Sequence, residues 1–149
     1  MWVSTKAQYG IRAIIDVAMS GQRPTSLKTV AEKQQLSYPY LEQIFAELRR
    51  AGIVESVRGA RGGYRLAKPA DRVTALDVIE RLEGSIAPVV CIDDEDSCDR
   101  TGRCGSEDLW RDVDTAVRQV LRGVTLADLM AKRELIDLEP LPQRFIEAR

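Results

Sequence analysis

Three cysteines lie within fourteen residues of a chain that contains no histidine. Cys91, Cys98 and Cys104 are spaced C-x6-C-x5-C, and their neighbours are mostly aspartate, glutamate, arginine and glycine. Buried, unreactive cysteines usually have apolar neighbours, whereas closely spaced thiolates on an irregular segment suit a soft metal centre. The spacing therefore predicts a loop that binds a metal centre and senses metal or redox conditions.

Two further interpretations of the cysteines stay open, while a disulfide framework is disfavoured. The odd cysteine count, and the lack of a signal peptide or of an apolar run long enough to cross a bilayer, indicate a reducing cytoplasmic location. Zinc accepts mixed sulfur and oxygen ligands, so three thiolates and a carboxylate could bind it. Alternatively, the thiols respond to oxidants or bind a protein partner without metal.

The two halves of the chain carry opposite charge, although the formal net charge of the 149 residues is -1. Residues 1–72 contain twelve Lys and Arg against six Asp and Glu, whereas residues 73–149 contain ten against seventeen. The basic half predicts contact with a polyanion such as double-stranded DNA. The chain has no histidine, nucleophile-elbow motif or phosphate-loop motif, so we expect neither an enzyme nor a small-molecule substrate, and no membrane association.

The elements that would position a DNA contact lie in the basic half. Apolar spacing predicts a helix over residues 5–19, a short helix capped by Ser26, and a third helix that starts after Ser37 and ends at Gly52. Pro39 is tolerated in the first turn of that third helix. Two short helices joined by a tight turn are typical of a helix-turn-helix.

A β-hairpin is predicted directly after the third helix. Residues 53–57 alternate as a strand, RGARGG forms a turn, and residues 64–67 return antiparallel. The turn carries Arg58, Gly59 and Arg61, so two guanidiniums project from a backbone that can approach a ligand closely. A glycine-rich hairpin alone is a weak signal, but after a helix-turn-helix it indicates a wing. The predicted fold class is mainly α with a small β-hairpin wing, a winged helix-turn-helix plus a long dimerisation helix.

The candidate DNA contacts share a polar or basic side chain on these elements. The first turns of the third helix offer groups that read base edges, and the basic residues suit phosphates. The candidates are Lys28, Ser37, Tyr38, Tyr40, Glu42, Gln43, Arg49, Arg50, Arg58, Gly59 and Arg61.

Four regions follow from this pattern. Residues 1–84 form the winged helix-turn-helix domain, residues 85–105 the cysteine segment, residues 106–137 a dimerisation helix and a C-terminal helix, and residues 138–149 a loosely held tail. The dimerisation helix is expected because one broad apolar stripe needs a partner surface, which a second copy would supply. That stripe consists of Leu109, Val113, Ala116, Val117, Val120 and Leu121.

Three runs of sequence resemble a known family. They are MWVSTKAQYGIRAIIDVA, SYPYLEQIFAELRRAGIVESVRGARGGYRLAK and CGSEDLWRDV. Together they resemble the Rrf-type winged-helix transcription regulators, and among these the regulators with an iron-sulfur cluster, over roughly residues 1–137. The resemblance implies a homodimeric repressor or activator in which Glu42 discriminates between DNA sequences and Arg58 with its glycines forms the wing.

The resemblance also implies a ligand set. The three cysteines match the cluster cysteines, and Glu107 stands where the cluster regulators have a histidine as fourth ligand. A 2Fe-2S cluster is favoured over 4Fe-4S, and zinc is the weaker alternative. Glu107 could equally be an ordinary acid in the first turn of a helix, where the helix dipole favours it. We expect cluster status, or a related redox or iron signal, to control DNA binding by changing the spacing of the two DNA-reading heads.

Overall fold

A computed structural model describes residues 3–138 of the protein and the side chains of residues 3–135. Within that range the chain forms seven α-helices and one two-stranded antiparallel sheet. In chain order these are α1 (Thr5–Met19), α2 (Leu27–Gln34), α3 (Tyr38–Arg50), β1 (Val54–Val57), β2 (Gly63–Leu66), α4 (Ala75–Glu83), α5 (Val90–Asp93), α6 (Glu107–Arg122) and α7 (Leu126–Leu138). The mainly α fold with a small hairpin confirms the predicted fold class.

Three details of the sequence prediction are wrong. The strands start and end about one residue away from the predicted bounds, because Gly63 pairs with Val57 and extends β2 towards the turn. Ser26 occupies the N-cap of α2, but its hydroxyl makes no hydrogen bond to the start of the helix. The cysteine segment is not wholly irregular, because Cys91 lies in the one-turn helix α5, where the Asp94 N–H donates to the carbonyl of Val90 at 3.0 Å.

A single main core joins α1, α2, α3, α4 and the hairpin. Its fully buried side chains include Ile14, Leu41 and Phe45, which are 0 % exposed. α1 lies so close to α4 at Gly10 that a Cβ there would approach Leu82 Cδ1 to 2.3 Å. A larger residue at position 10 would require the Leu82 side chain to move, so glycine allows the present packing of α1 on α4.

A buried polar network fixes α1 against α2. The Asp16 carboxylate is 6 % exposed, accepts a hydrogen bond from the Gln34 amide and forms an ion pair with Lys33 at 2.7 Å. The Arg12 Nε–H donates to Oε1 of Gln34 at 3.0 Å. Because a buried carboxylate is stable when its oxygens are satisfied, these contacts set the angle at which the helix-turn-helix leaves α1.

Leu126, the first residue of α7, is 0 % exposed and belongs to the main core. The chain enters α7 through two backbone bonds, from Ala75 N to Val124 O and from Leu126 N to Val73 O, each 2.8 Å long. Thr74 and Thr125 both begin capping boxes, with Asp77 and Asp128 as their acidic partners. α7 is thus fixed to the same body as the winged helix, although it follows α6 in the chain.

In contrast, α6 contains no buried residue, although its apolar stripe is broad. The side chains of Leu109 and Val120 are 56 % and 67 % exposed. Arg118 joins α6 to α4 by an ion pair with Glu80, and it also pairs with Asp114 of its own helix at 2.8 Å. Half of the apolar face of α6 therefore has no protein partner within the described part of the chain.

Residues 139–149 of the predicted tail lie outside the described residues. Among residues 3–138, no helix combines the length and the apolar composition that crossing a bilayer requires.

Candidate nucleic-acid interface and cysteine segment

The first turn of α3 is exposed and well ordered by its cap. The Ser37 hydroxyl accepts from the N–H of Tyr40 at 3.3 Å, and Pro39 lies in the first turn, as predicted. Behind this turn, the Tyr40 ring packs edge to face on Tyr9 with ring centroids 6.3 Å apart. Tyr40 is therefore partly a packing residue that supports the start of the helix.

Tyr38 and Glu42 project together from the exposed side of α3. Tyr38 is 44 % exposed, and Glu42 lies one turn further along the helix. A hydrogen bond between the Tyr38 hydroxyl and the Glu42 carboxylate raises the pKa of Tyr38. A carboxylate that is already oriented in this way can accept a hydrogen bond from a cytosine amino group in the major groove.

The remaining predicted DNA contacts lie on α2, on α3 and in the turn of the hairpin. Their side chains are exposed, except for half-buried Tyr40. The Arg49 guanidinium approaches the Ser56 hydroxyl to 3.4 Å, which connects the end of α3 to β1. No ion pair involves Arg58 or Arg61 within residues 3–135. The roles of these residues in DNA binding stay predictions.

The hairpin is attached to the helices at its base. Thr25, in the turn between α1 and α2, exchanges two backbone hydrogen bonds with Tyr64, each 2.8 Å long. The Tyr64 ring packs on Phe45 of α3 with centroids 5.2 Å apart. At the tip, Gly59 has a φ of +117°, and the Gly62 N–H donates to its carbonyl at 3.0 Å. The wing is therefore a third element fixed to both helices of the helix-turn-helix.

The three cysteines are free thiols, all half-buried, in the segment that joins α4 to α6. Within the described residues, no group of three or more cysteine, histidine, aspartate or glutamate side chains is arranged to bind a metal ion. The Sγ of Cys104 lies 3.3 Å from Oγ of Ser106, and this hydrogen bond lowers the pKa of the Cys104 thiol. A lowered pKa increases the fraction of thiolate, the form that binds metals and reacts with oxidants.

Glu107 begins α6, and its carboxylate already has partners. It accepts from the N–H of Gly102 at 2.7 Å and pairs with Arg111 at 2.9 Å. The hydrogen bond from Arg111, followed by that from Gly102, lowers the pKa of Glu107. Arg111 also pairs with Glu95 at 3.1 Å, so one guanidinium holds the cysteine segment against α6. In this arrangement Glu107 acts as a first-turn acid that anchors the segment.

Two sets of residues were missed by the sequence reasoning. Arg118 and Glu80 connect α6 to α4, and Arg23 lies beside the wing turn with Ser26. Helical spacing shows which face of a helix is polar, but it does not show which distant helix that face meets. The backbone pairing of Thr25 with Tyr64 places Arg23 beside the wing, and no local pattern predicts that pairing.

A family model described as Rrf2, an iron-dependent transcriptional regulator, matches residues 3–132. The chain belongs to the Rrf2 family. Regulators of this family bind DNA, and the named relatives are transcriptional regulators rather than enzymes. The winged helix described above is therefore a DNA-binding fold in a transcriptional regulator.

Two kinds of Rrf2 regulator are similar to this chain. The regulator CymR of Bacillus subtilis is 45 % identical over 130 residues, which are 87 % of this chain and 89 % of CymR. The regulator IscR of Vibrio vulnificus strain YJ016 is 37 % identical over 139 residues, which are 93 % of this chain and 82 % of IscR.

Solved Rrf2 structures give the same pair. The structure of B. subtilis CymR, described as the global cysteine regulator, has a TM-score of 0.74 at 42 % identity and covers 89 % of this chain and 98 % of its own. The structure of T. potens IscR has a TM-score of 0.73 at 38 % identity, and the match covers 97 % of this chain and 96 % of the IscR chain. Of these two regulators, CymR is the more identical in sequence, while the TM-scores of the two solved structures are nearly equal.

Proposed function

We propose that this Rrf2 regulator is a homodimer that binds double-stranded DNA through α3 and the wing, and that its three cysteines make DNA binding depend on an iron-sulfur cluster. The observation that carries the proposal is the exposed first turn of α3 together with a wing that packs on α3 through Tyr64 and whose Arg58 and Arg61 form no ion pair within residues 3–135. A polyanion fits that surface because basic residues flank the base-reading side chains on both sides.

Contacts to DNA divide by chemistry. Ser37, Tyr38, Glu42 and Gln43 enter the major groove, where their hydroxyl, carboxylate and amide groups read base edges. Lys28, Arg49 and Arg50 contact phosphates and set the register of the protein on the duplex. Arg58, Gly59 and Arg61 approach the neighbouring minor groove, where arginine is attracted by the negative potential.

Dimerisation would use the exposed stripe of α6. Leu109 and Val120 lie more than half exposed on that helix, and burying such side chains contributes about 1.5–3 kcal/mol each. A symmetric interface of this kind places two winged helices on one side of the molecule, so that they meet two half-sites of a pseudo-palindromic sequence. α4 would transmit a change at the interface to the wing domain, because Arg118 joins α6 to Glu80 of α4.

The side chains of the cysteine segment are of the chemical type that binds an iron-sulfur cluster. Three free, half-buried thiols in one segment supply soft ligands, and the hydrogen bond from Ser106 favours the thiolate of Cys104. Cys91, Cys98 and Cys104 would hold the cluster, with Glu107 as the candidate fourth ligand, and a bound cluster supplies a centre that oxidants or iron shortage can remove. Because no metal-binding group is preassembled among the described residues, cluster binding would require the segment to rearrange.

Rearrangement at Glu107 has a defined consequence for the protein chain. Turning the Glu107 carboxylate away from α6 would give up its bonds to the Gly102 N–H and to Arg111. The segment would lose its bond from Gly102 to α6 and keep the ion pair between Glu95 and Arg111. We propose 2Fe-2S as the cluster, with 4Fe-4S and zinc as alternatives that metal analysis distinguishes.

A second candidate function is regulation through the thiols without a metal. It is supported by the similarity to CymR, described as a global cysteine regulator, and by the lowered pKa of Cys104. In this case oxidation of a thiol, or binding of a protein partner to the segment, would alter DNA affinity.

The DNA-binding part is tested with a duplex selected from a random pool by the wild-type protein. Arg58→Ala should weaken binding of that duplex by about tenfold or more, because a desolvated arginine contact contributes about 1–3 kcal/mol. Arg72→Ala is the matched control, since Arg72 is exposed, lies in the turn before α4 and is not among the predicted DNA contacts. Equal affinities of both variants and the wild type, measured by fluorescence anisotropy, would rule out the wing as a DNA contact.

A further inference from the structure

A groove runs between the wing tip and the turn that precedes α2. Its walls are Arg23, Pro24, Ser26, Ala60, Arg61 and Gly62, and they enclose about 640 Å³. Two of these residues are arginines, and no carboxylate lines the groove. Within residues 3–135 neither Arg23 nor Arg61 has an ion-pair partner. Two guanidiniums beside one groove without an acidic neighbour attract an anion.

Both arginines stand on anchored backbone. Thr25 and Tyr64 exchange two hydrogen bonds of 2.8 Å, which hold the turn before α2 against β2. On one side of this pairing, the Arg23 N–H donates to the carbonyl of Ser20 at 3.1 Å. On the other side, the Gly62 N–H closes the wing turn that carries Arg61, and a Cβ at this glycine would approach Val57 O to 2.2 Å. The two walls of the groove are therefore held at a fixed separation.

The groove continues the proposed DNA surface. Arg58 and Gly59 precede Arg61 in the same turn, and Lys28 lies in the first turn of α2. The Ser26 hydroxyl belongs to the groove lining, and its O–H can donate a hydrogen bond to an anion there. Arginine is suited to a phosphodiester because its planar guanidinium can donate two parallel hydrogen bonds to the phosphate oxygens.

We propose that Arg23 and Arg61 both donate hydrogen bonds to one phosphate of the DNA backbone next to the wing, with the Ser26 hydroxyl as a third donor. This inference rests on the proposed DNA-binding function and adds a contact made by the turn before α2. The contact positions the wing on the duplex and does not distinguish one base sequence from another.

The test measures DNA affinity against salt for the full-length protein, with Arg23→Ala, Arg61→Ala and the double variant. The probes are the selected duplex of about 30 base pairs, long enough for two half-sites, and a scrambled duplex of equal composition. Arg23→Ala should weaken binding of both duplexes by about three- to tenfold, and it should reduce the slope of log K against log salt by about 0.9 for each phosphate that is no longer neutralised, one at each half-site of the dimer. The double variant should lose less than the two single losses combined, because both side chains grip the same phosphate.

Arg72→Ala again serves as the control, because it removes one exposed positive charge from outside the groove. If Arg23→Ala matches Arg72→Ala in affinity and in salt slope, the groove does not bind DNA, while a loss with Arg58→Ala keeps the DNA-binding function intact. If Arg23→Ala changes the preference for the selected duplex, the phosphate contact is refuted in favour of base or shape readout. If inorganic phosphate binds the wild type and not Arg23→Ala while DNA affinity is unchanged, the groove takes a small anion instead.

Discussion

Replacing Gly63 with alanine should detach the wing from the helices. A Cβ at this position would lie 2.2 Å from Thr25 O and 2.4 Å from Thr25 C, and both are backbone atoms that cannot rotate away. Gly63 also has a φ of +154°, a conformation that residues with a side chain rarely adopt. The variant therefore has to move β2 away from the turn before α2.

The loss of stability in Gly63→Ala follows from the contacts that this movement of β2 breaks. Two hydrogen bonds of 2.8 Å join Thr25 to Tyr64, and each contributes about 0.5–1.5 kcal/mol net. The disfavoured φ adds about 1–3 kcal/mol. Gly63→Ala should therefore lower the free energy of unfolding by about 2–6 kcal/mol, a large part of the stability of a typical domain.

Urea denaturation at matched protein concentration measures this loss, and anisotropy on the selected duplex measures its effect on DNA binding. Gly21→Ala is the control, because Gly21 has a φ of +61° with no atom within 4 Å of its added Cβ. Gly21→Ala should lower the free energy of unfolding by about 1 kcal/mol, because only the disfavoured backbone conformation opposes it. It should leave DNA affinity unchanged. Equal destabilisation by the two variants, with equal DNA affinity, would refute the role of Thr25 in holding the wing.

Three further predictions concern base recognition by α3, the proposed dimer interface on α6, and the pH dependence of stability. Tyr38→Phe should reduce the preference for cytosine at one operator position by about two- to tenfold, measured by selection from a random pool, because Glu42 loses the hydroxyl that orients it. Val120→Glu should convert the dimer to a monomer in light scattering, whereas Gln119→Glu, on a neighbouring exposed position, should not. Asp128→Asn should destabilise the protein at neutral pH, and the difference from wild type should disappear as pH falls from 3.8 through the lowered pKa of Asp128, because protonation removes the same hydrogen bonds.

Much of the fold was predictable because its local signals agree. The predicted helix over residues 5–19 coincides with α1, and the third helix starts after Ser37, whose hydroxyl caps it. The alternation of apolar and polar residues, followed by a glycine-rich turn, was enough to predict the bounds of both hairpin strands to within one residue. In each case the signal lies within a few residues of the element that it predicts.

The missed features depend on contacts between distant residues. The predicted dimerisation stripe was found from its spacing, but its attachment to α4 through Arg118 depends on two helices that are far apart in the chain. The position of α7 in the main core through Leu126 was missed for the same reason. Likewise, the exposed positions of Tyr38 and Glu42 were predictable, whereas the Arg23 groove required the pairing of Thr25 with Tyr64.

Glu107 shows the limit of carrying a ligand over by position. Its place in the sequence suggested a fourth ligand, and the structure gives its carboxylate two partners that hold the cysteine segment. Both roles are compatible with one residue, since a carboxylate that leaves a hydrogen bond can coordinate a metal. Glu107→Gln would separate them in metal analysis, because glutamine keeps the volume and removes the anionic donor.

The most direct test of a cluster-dependent regulator is an anaerobic ultraviolet-visible spectrum, with iron and acid-labile sulfide analysis, of the wild type and of Cys98→Ala. If the cysteines bind a cluster, we expect a coloured wild-type protein with stoichiometric iron and sulfide, and a colourless variant. The two proteins should also differ in their affinity for the selected duplex. A colourless wild-type protein that contains zinc or no metal would contradict the cluster. The regulator would then act through its thiols, with the DNA-binding winged helix unchanged.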